Sequence, residues 1–197
     1  SKGNLSVLYK EINKIEDALK YGLDAQKLYE QLGKTVDVAR CKVNNGMLYG
    51  RKKEFATAEK NYLEAIVVLE KTPNSSGLGA AYNNLGLAQR SQNKHAQAKE
   101  SFLKALKIGK EKDSKMMIAT ACHELGSIEL FYKNYNNVLP YLIQTDSIAS
   151  QLGYKELQKD VYQTYSDYYE AVGNQTLALN YFKKFVEQIS DDIIVLS

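Results

Sequence analysis

The fold is decided by residues 39–71, which read ARCKVNNGMLYGRKKEFATAEKNYLEAIVVLEK. Apolar residues recur at helical spacing through Val43 and Met47, and a polar turn follows at residues 51–54. A second stretch with the same spacing starts at Phe55 and continues to Leu69. One apolar stripe on each of two successive segments predicts a unit of two helices that pack together across a short turn.

This unit recurs every forty residues along the chain. One position of it is glycine in Gly46, Gly86 and Gly126, and a second is small in Ala18, Ala58, Ala98, Val138 and Ala178. A fixed period of this length is typical of a solenoid. We therefore predict an all-α solenoid of antiparallel helix pairs, with about five repeats of which the first is partial. The units cover approximately residues 1–38, 39–78, 79–118, 119–158 and 159–190.

The period also predicts the domain organisation and the turns. Residues 1–190 are expected to form a single array, and residues 191–197 an apolar stub of a connector to a further region. Turns between units are expected near Gly33, residues 73–77, Asp113 and Gly153.

The unit at residues 119–158 departs from the pattern, with Glu129 in place of an aromatic residue and with Val138 and Thr145 in place of alanine. It also contains Pro140, which fits a helix only in the first turn. We expect that helix to start late, with Asn137 as its N-cap, and the stack to be irregular there. Two explanations stay open, namely drift at a tolerant site and a widened binding pocket.

Composition narrows the function classes. The net charge of +3 is small and Lys and Glu alternate along the chain, so no nucleic-acid partner is expected. No apolar run approaches the length of a membrane span, so we expect no membrane insertion. Cys41 and Cys122 occupy the first helices of two units separated by a third, too far apart for a disulfide, and are expected to be core thiols.

No catalytic constellation is present in the sequence. A phosphate-binding glycine loop, a His-Glu metal motif and a nucleophile elbow are all missing. His95 and His123 have no partners at metal-ligand spacing. We therefore predict a non-catalytic protein with no cofactor and no bound metal.

The residues at fixed positions of the unit resemble a known family. Tyr82, Leu85, Gly86, Ala98, Phe102 and Ala105 follow the pattern of the tetratricopeptide repeat, and related positions match over essentially the whole chain. The usual unit of that family is shorter and often ends in proline, whereas this one has forty residues and no proline there. The resemblance implies a right-handed superhelix whose concave surface is lined by the first helix of each unit, and a role in binding proteins or peptides.

The resemblance places the candidate binding residues on the first helices. Asn4, Asn44 and Asn84 occupy one position in successive units, and such a ladder is suited to hydrogen bonds with the backbone of an extended peptide. Neighbouring positions grade from basic to acidic along the chain, which favours a partner of complementary polarity. The predicted peptide- or protein-binding residues are Asn44, Asn84, Arg40, Met47, Asn83, Leu87, Arg90, His123, Glu124, Ser127, Gln163 and Asp167.

Three functions follow from these observations. Forty-residue repeats of this style resemble the sensing region of bacterial histidine kinases and of LuxR-type regulators, which implies a sensing module of a larger signalling protein. The alternatives are a structural scaffold that bridges subunits, including by self-association, and a cytoplasmic peptide-pheromone receptor. The compartment is periplasmic if the membrane-sensor resemblance holds and cytoplasmic otherwise. Tyrosines crowd the last unit, where Tyr168 is expected to face outward as a contact residue.

Overall fold

The computed structural model describes the backbone of residues 2–73 and 75–195 and the side chains of residues 14–73 and 75–189. Within these ranges every regular element is a helix, which confirms the predicted all-α fold. The helices are α1 (Lys2–Gln31), α2 (Thr35–Arg51), α3 (Phe55–Leu69), α4 (Leu78–Arg90), α5 (His95–Glu111), α6 (Lys115–Phe131), α7 (Tyr135–Leu152), α8 (Lys155–Ala171) and α9 (Gln175–Val195).

The chain forms two compact units, which we call unit 1 (up to Ala105) and unit 2 (from Leu106 onward). Within unit 1, α2 packs on α1 and α3, and α3 packs on α4. Within unit 2, α7 packs on α6 and α8, and α8 packs on α9. Neighbouring helices joined by short turns are antiparallel, so each unit is a stack of helix pairs.

The turns repeat with the period of the sequence. Between the two helices of a repeat, one residue has positive φ in each of four turns, namely Lys53, Asn93, Lys133 and Gly173. Between repeats, positive φ occurs at Gly33, Gly77, Asp113 and Gly153. These are the turns that the sequence predicts.

Small residues of one helix lie under large residues of the next. A Cβ atom added to Gly46 would stand 2.7 Å from Cε1 of Tyr62, and one added to Gly86 would stand 2.6 Å from Cε1 of Phe102. Both rings are almost fully buried. The glycine positions of the repeat are therefore required by close helix packing rather than by backbone conformation.

A second set of contacts joins the two helices of every described repeat at one pair of positions. Lys42 forms an ion pair with Glu64, and Cys122 donates a hydrogen bond to Gln144. At the same positions the lysine ammonium groups of the other two repeats lie over tyrosine rings, in the pairs Lys104–Tyr82 and Lys184–Tyr162. An ion pair, a hydrogen bond and cation–π contacts thus join the two helices at the same pair of positions in different repeats.

The first repeat is partial, as predicted. Instead of a helix pair it contains the single helix α1, which runs through Asn13, the position of the positive-φ residue in later repeats. Ile12, Ile15 and Leu19 continue the apolar spacing through that position, so the sequence favours an unbroken helix.

The packing of α1 on α2 is also polar. Gly22 and Asn45 stand at positions that the next repeat fills with the larger apolar residues Tyr62 and Leu85, and Asn45 is fully buried. Its Nδ2 donates to Oε1 of Gln26 at 3.0 Å. Its Oδ1 lies against Gly22, where an added Cβ would be only 2.2 Å away. Gly22 is therefore required by the close approach of an amide.

The prediction for Pro140 is wrong. Helix α7 does not start late, because its N-cap is Asn134 and Pro140 lies inside the helix. The first turn accommodates this by a tight bond from Asn137 N–H to the Asn134 carbonyl, 2.9 Å long, of the i→i+3 type. The side chain of Pro140 is exposed, so the ring meets solvent instead of the core.

Two other expectations are corrected in part. Cys122 is buried, as expected, and burial raises the pKa of its thiol to about 11, but Cys41 is only half-buried. Both cysteines are free thiols. Tyr168 does not face outward: its side chain is 9% exposed and belongs to the apolar core of unit 2. The helix that carries it is covered on that side by α6 and α7.

Candidate functional site: an apolar pocket in unit 1

Unit 1 contains an open pocket between α2, α3 and α4. Its volume is about 310 Å³, near the lower end of the range of ligand pockets. A pocket of this size accommodates one large side chain or a small molecule. It is lined by Met47, Gly50, Arg51, Phe55, Ala58, Tyr62, Asn84, Leu87, Ala88 and Ser91.

The pocket exists because small residues occupy two of its walls. A Cβ atom added to Gly50 would meet no atom within 4 Å. The residues at the same position in other repeats are Arg90, Leu130 and Glu170, so glycine here leaves open space where larger side chains stand elsewhere. Ala88 on α4 leaves further space on the opposite wall.

The interior is apolar and the edge is polar. Ala58 and Tyr62 are buried beneath the pocket, and burial raises the pKa of the Tyr62 hydroxyl, which is therefore neutral at ordinary pH. Arg51 and Ser91 are exposed and Asn84 is half-buried. Within the described side chains, Arg51 has no ion pair or hydrogen bond. The pocket thus offers an apolar interior beside an available positive charge.

Three of the predicted binding residues line this pocket, namely Met47, Asn84 and Leu87. Met47 is 45% exposed, so its apolar side chain is open to solvent at the pocket. Asn84 is the member of the predicted asparagine ladder that reaches the pocket.

The other predicted residues of unit 1 lie outside the pocket. Arg40 is bound to Asp37 and to Ser76, with both distances 3.3 Å. Asn44 is exposed, and Arg90 is half-buried. Asn83 is half-buried, and its Oδ1 is a buried atom without a hydrogen-bond partner among the described side chains. The side chain of Asn4 lies outside the described residues.

In unit 2 the predicted residues form a polar contact between α6 and α8. His123 Nε2 lies 3.1 Å from Thr164 Oγ1, and that hydroxyl donates to the carbonyl of Asp160 at 3.0 Å. Since the hydroxyl proton is used there, His123 is assigned as the donor to Thr164. Ser127 donates to the His123 carbonyl at 3.0 Å. The bonds of Ser127 and Thr164 to carbonyl groups fix these side chains to their own helices, and the His123–Thr164 bond joins α6 to α8.

The remaining predicted residues of unit 2 differ in exposure. Gln163 and Asp167 are exposed, but Glu124 is buried, with 9% exposure, and is not an open groove residue as expected. Partial burial and the neighbouring charge of Glu170 raise the pKa of Asp167.

Sequence reasoning missed most of the pocket. Its wall and floor residues Phe55, Ala58 and Tyr62 belong to the second helix of the repeat, whereas the predicted binding residues all belong to first helices. One signal was available: Gly50 is the single small residue at a position occupied by Arg90, Leu130 and Glu170. A break in a repeat pattern toward a smaller residue indicates missing volume.

Metal ions and membranes would require other kinds of site. Over the side chains that the structure describes, His, Cys, Asp and Glu do not gather in groups of three or more that would hold a metal ion. The described helices include none with the length and apolar character needed to cross a bilayer.

Comparison with known families gives one match. Residues 37–111 match the family model of the tetratricopeptide repeat. This segment covers α2 from its third residue onward and all of α3, α4 and α5, and so includes the whole pocket. No curated protein matches the sequence.

Solved structures share the fold at low identity. A Podosopora anserina kinesin light chain with nearly identical TPR-like repeats has a TM-score of 0.73 and 13% identity, covering 96% of this chain and 93% of its own. The apo form of RapI has a TM-score of 0.68 and 16% identity over 95% of this chain and 81% of its own.

A third similar structure contains a bound peptide. It is the Rap conjugation gene regulator of plasmid pLS20 in complex with the Phr* peptide, with a TM-score of 0.65 and 18% identity. The match covers 77% of this chain and 43% of the regulator, so this chain spans less than half of that protein. The family match over residues 37–111 and these structures support a solenoid fold of helix pairs that resembles the tetratricopeptide repeat.

Proposed function

We propose that this protein is a non-catalytic interaction module that binds a protein or extended peptide through the unit 1 pocket. The observation that carries the proposal is the open apolar pocket with Arg51, unpaired among the described side chains, at its edge. A concave apolar space with a few polar groups at the edge is the usual form of a recognition site. The tetratricopeptide match over α2–α5 supports an interaction role for this segment.

The polar residues beside the pocket supply the contacts to a peptide backbone. Asn84 lines the pocket, and Asn44 is exposed at the same repeat position on α2. A carboxamide both donates and accepts hydrogen bonds, so it pairs with a peptide group of any sequence. In this arrangement the pocket selects one side chain and the asparagines hold the adjoining backbone.

We further propose that binding serves peptide sensing within a larger signalling protein. The forty-residue period, which resembles sensing regions of bacterial regulators, and the peptide bound to the Rap regulator favour this role. The regulator is only 18% identical, so the role rests on the pocket of this chain. A sensor must release its ligand as well as bind it. An interface anchored by one side chain is small enough for such reversible binding.

The experiment is a selection of random twelve-residue peptides displayed on phage, followed by calorimetry of the winners. The test variant is Gly50→Leu, which fills the pocket, and the matched control is Gly50→Ala, which adds one methyl group in open space. Selected peptides are expected to bind the wild type and Gly50→Ala alike and to lose at least tenfold in affinity for Gly50→Leu.

Equal affinity of every selected peptide for all three proteins would remove the pocket from the function. Circular dichroism of the variants provides the folding control, since both substitutions replace a helical glycine with a better helix former.

A further inference from the structure

The repeat itself shows what kind of group fits the unit 1 pocket. Helices α6, α7 and α8 of unit 2 stand two repeats after α2, α3 and α4 and use the same positions. In unit 2 the space that corresponds to the pocket is filled by the chain's own side chains. Leu130 stands at the position of Gly50, and Tyr168 stands at the position of Ala88.

Tyr168 is held there as a core residue. It packs in one cluster with Val138 and Leu142, which correspond to Ala58 and Tyr62 on the floor of the pocket. Its ring meets the ring of Tyr135 edge-on, with centroids 6.3 Å apart and an interplanar angle of 69°. This is a favourable geometry for two aromatic rings.

Unit 1 contains one of the two rings of this aromatic contact, but Ala88 stands where the second ring would be. Tyr135 corresponds to Phe55, which forms a wall of the pocket. Unit 1 therefore keeps the ring on α3 and lacks the ring on α4. A ring supplied by another molecule would meet Phe55 as Tyr168 meets Tyr135.

A charge difference adds a second element of recognition. Arg51 at the edge of the pocket corresponds to Phe131 in unit 2. Arg51 is exposed and has no ion pair within the described side chains. A carboxylate on the incoming group would pair with this guanidinium.

We propose that the unit 1 pocket binds an aromatic side chain of the partner that carries a carboxylate within reach of Arg51. In a peptide this is a phenylalanine or tyrosine next to an acidic residue or at a free C-terminus. The inference rests on the proposed function, in that it names the group that the same pocket selects.

The test uses three small probes that separate the ring from the charge. They are 3-phenylpropionate (ring and carboxylate), 3-phenylpropanol (ring alone) and 3-cyclohexylpropionate (carboxylate with a saturated ring). Methyl-labelled methionine reports binding by NMR, because the chain has three methionines and only Met47 lines the pocket. Met116 and Met117 belong to unit 2 and serve as internal references.

The Met47 methyl resonance is expected to shift saturably with 3-phenylpropionate, while Met116 and Met117 stay unchanged. Affinity in the millimolar range, about 1 mM, is expected for so small a probe. The other two probes are expected to bind at least threefold more weakly. Equal binding of the phenyl and cyclohexyl acids would overturn the aromatic preference, and the absence of any shift would overturn the site.

Two variants transplant the unit 2 arrangement into unit 1. Ala88→Tyr is expected to raise the melting temperature and abolish the Met47 shift, because the new ring occupies the pocket. Gly50→Leu is expected to abolish the shift even if Ala88→Tyr does not fold, and Gly50→Ala is its control. Retained binding in folded Ala88→Tyr and Gly50→Leu would place the probes elsewhere and contradict the proposal.

The charge is tested with Arg51→Gln. This variant is expected to weaken 3-phenylpropionate about threefold, which is typical of an exposed ion pair, and to leave 3-phenylpropanol unchanged. Failure of this inference is distinct from failure of the proposed function. Selected peptides that lose affinity for Gly50→Leu but contain no aromatic residue would refute the aromatic anchor alone. Peptide binding through the pocket alone would be refuted if the probes bind the pocket and the selected peptides bind Gly50→Leu as tightly as the wild type.

Discussion

The segments α2–α4 and α6–α8 are two versions of one three-helix arrangement. Both have a small residue under a large one and the same turns, with positive φ at Lys53 and Lys133. They differ in side-chain volume: Gly50 and Ala88 leave a pocket, whereas Leu130 and Tyr168 fill the corresponding space. The backbone arrangement is the same in both segments, and the residues at these two positions decide whether the space between the helices is open or filled.

The largest expected effect comes from emptying the filled version. Tyr168→Ala removes a ring that is 9% exposed and packed in the core of unit 2. Truncation of a buried aromatic side chain costs about 3 kcal/mol or more in the free energy of unfolding. Urea denaturation followed by circular dichroism measures the loss, and Tyr154→Ala, at an exposed tyrosine of the same unit, is the control with little change.

The same variant also tests whether the two segments are equivalent. If Tyr168→Ala recreates the pocket of unit 1, p-cresol, the tyrosine side chain itself, should bind the cavity and raise the melting temperature in proportion to its concentration. In the wild type the Tyr168 ring occupies this position in the core. A cavity that collapses and binds nothing would show that α6–α8 hold their positions only because Tyr168 is present.

A smaller difference is expected at the glycines under the large residues. In Gly46→Ala the new Cβ would stand 2.7 Å from the buried ring of Tyr62, so the ring must move, and overpacking of this kind costs about 1–3 kcal/mol. In Gly126→Ala the nearest atom is the Leu142 Cδ2 at 3.1 Å, which leaves more room. The gain in helix propensity of about 1 kcal/mol then offsets the contact.

The urea midpoint of Gly46→Ala should therefore be lower than that of Gly126→Ala. Gly46→Ala falls below the wild type, and Gly126→Ala stays within about 1 kcal/mol of it. Tyr62→Leu copies the unit 2 pair of glycine and leucine, so Gly46→Ala should cost less stability in the Tyr62→Leu background than it does in the wild type. Equal losses at both glycines would mean that the two segments pack with the same closeness after all.

The backbone of these segments was predictable from the sequence because it depends on local periodicity. Apolar spacing and the forty-residue period locate the turns at Lys53, Asn93 and Lys133. Pro140 was misplaced because the helix tolerates it by tightening one turn and exposing the ring. That adjustment depends on tertiary packing, which outweighs the local preference of proline.

The pocket was not predictable in the same way, because its volume depends on the side chains of three packed helices together. Met47 and Leu87 were identified from their helix positions, but the open space beside them depends on the small size of Gly50 and Ala88. Glu124 and Tyr168 were expected to be exposed and are buried, Tyr168 because it packs against Val138 and Leu142 of the neighbouring helix. Periodicity gives the face of a helix, and only the packed neighbours decide which part of that face is open.

The smallest expected effect concerns Asp146, an acidic residue of unit 2 at a position that is apolar in unit 1. Asp146 on α7 stands at the position of Ile66 on α3, which is buried in an apolar core. Its Oδ1 is a buried atom without a hydrogen-bond partner among the described side chains. On α8 it faces Tyr162 and Tyr165, and on α9 it faces Tyr181 and Lys184. Partial burial raises the pKa of Asp146, although Lys184 and a hydrogen bond with Ser150 oppose the shift.

A raised pKa in the folded state means that the native protein holds the proton more tightly than the unfolded chain does. Stability contributed by protonated Asp146 is therefore present below the ordinary pKa of 3.8 and is lost as the pH rises through the folded pKa. Asp146→Asn should match the wild type near pH 3 and become relatively more stable as the pH rises, in urea denaturation at a series of pH values. Asp146→Leu, which restores an apolar residue, should show the same pH dependence with a constant offset. If the stability difference between Asp146→Asn and the wild type did not change with pH, Lys184 would fully compensate the charge of Asp146. A carboxylate at this position of unit 2 would then be no less stable than Ile66 at the same position of unit 1.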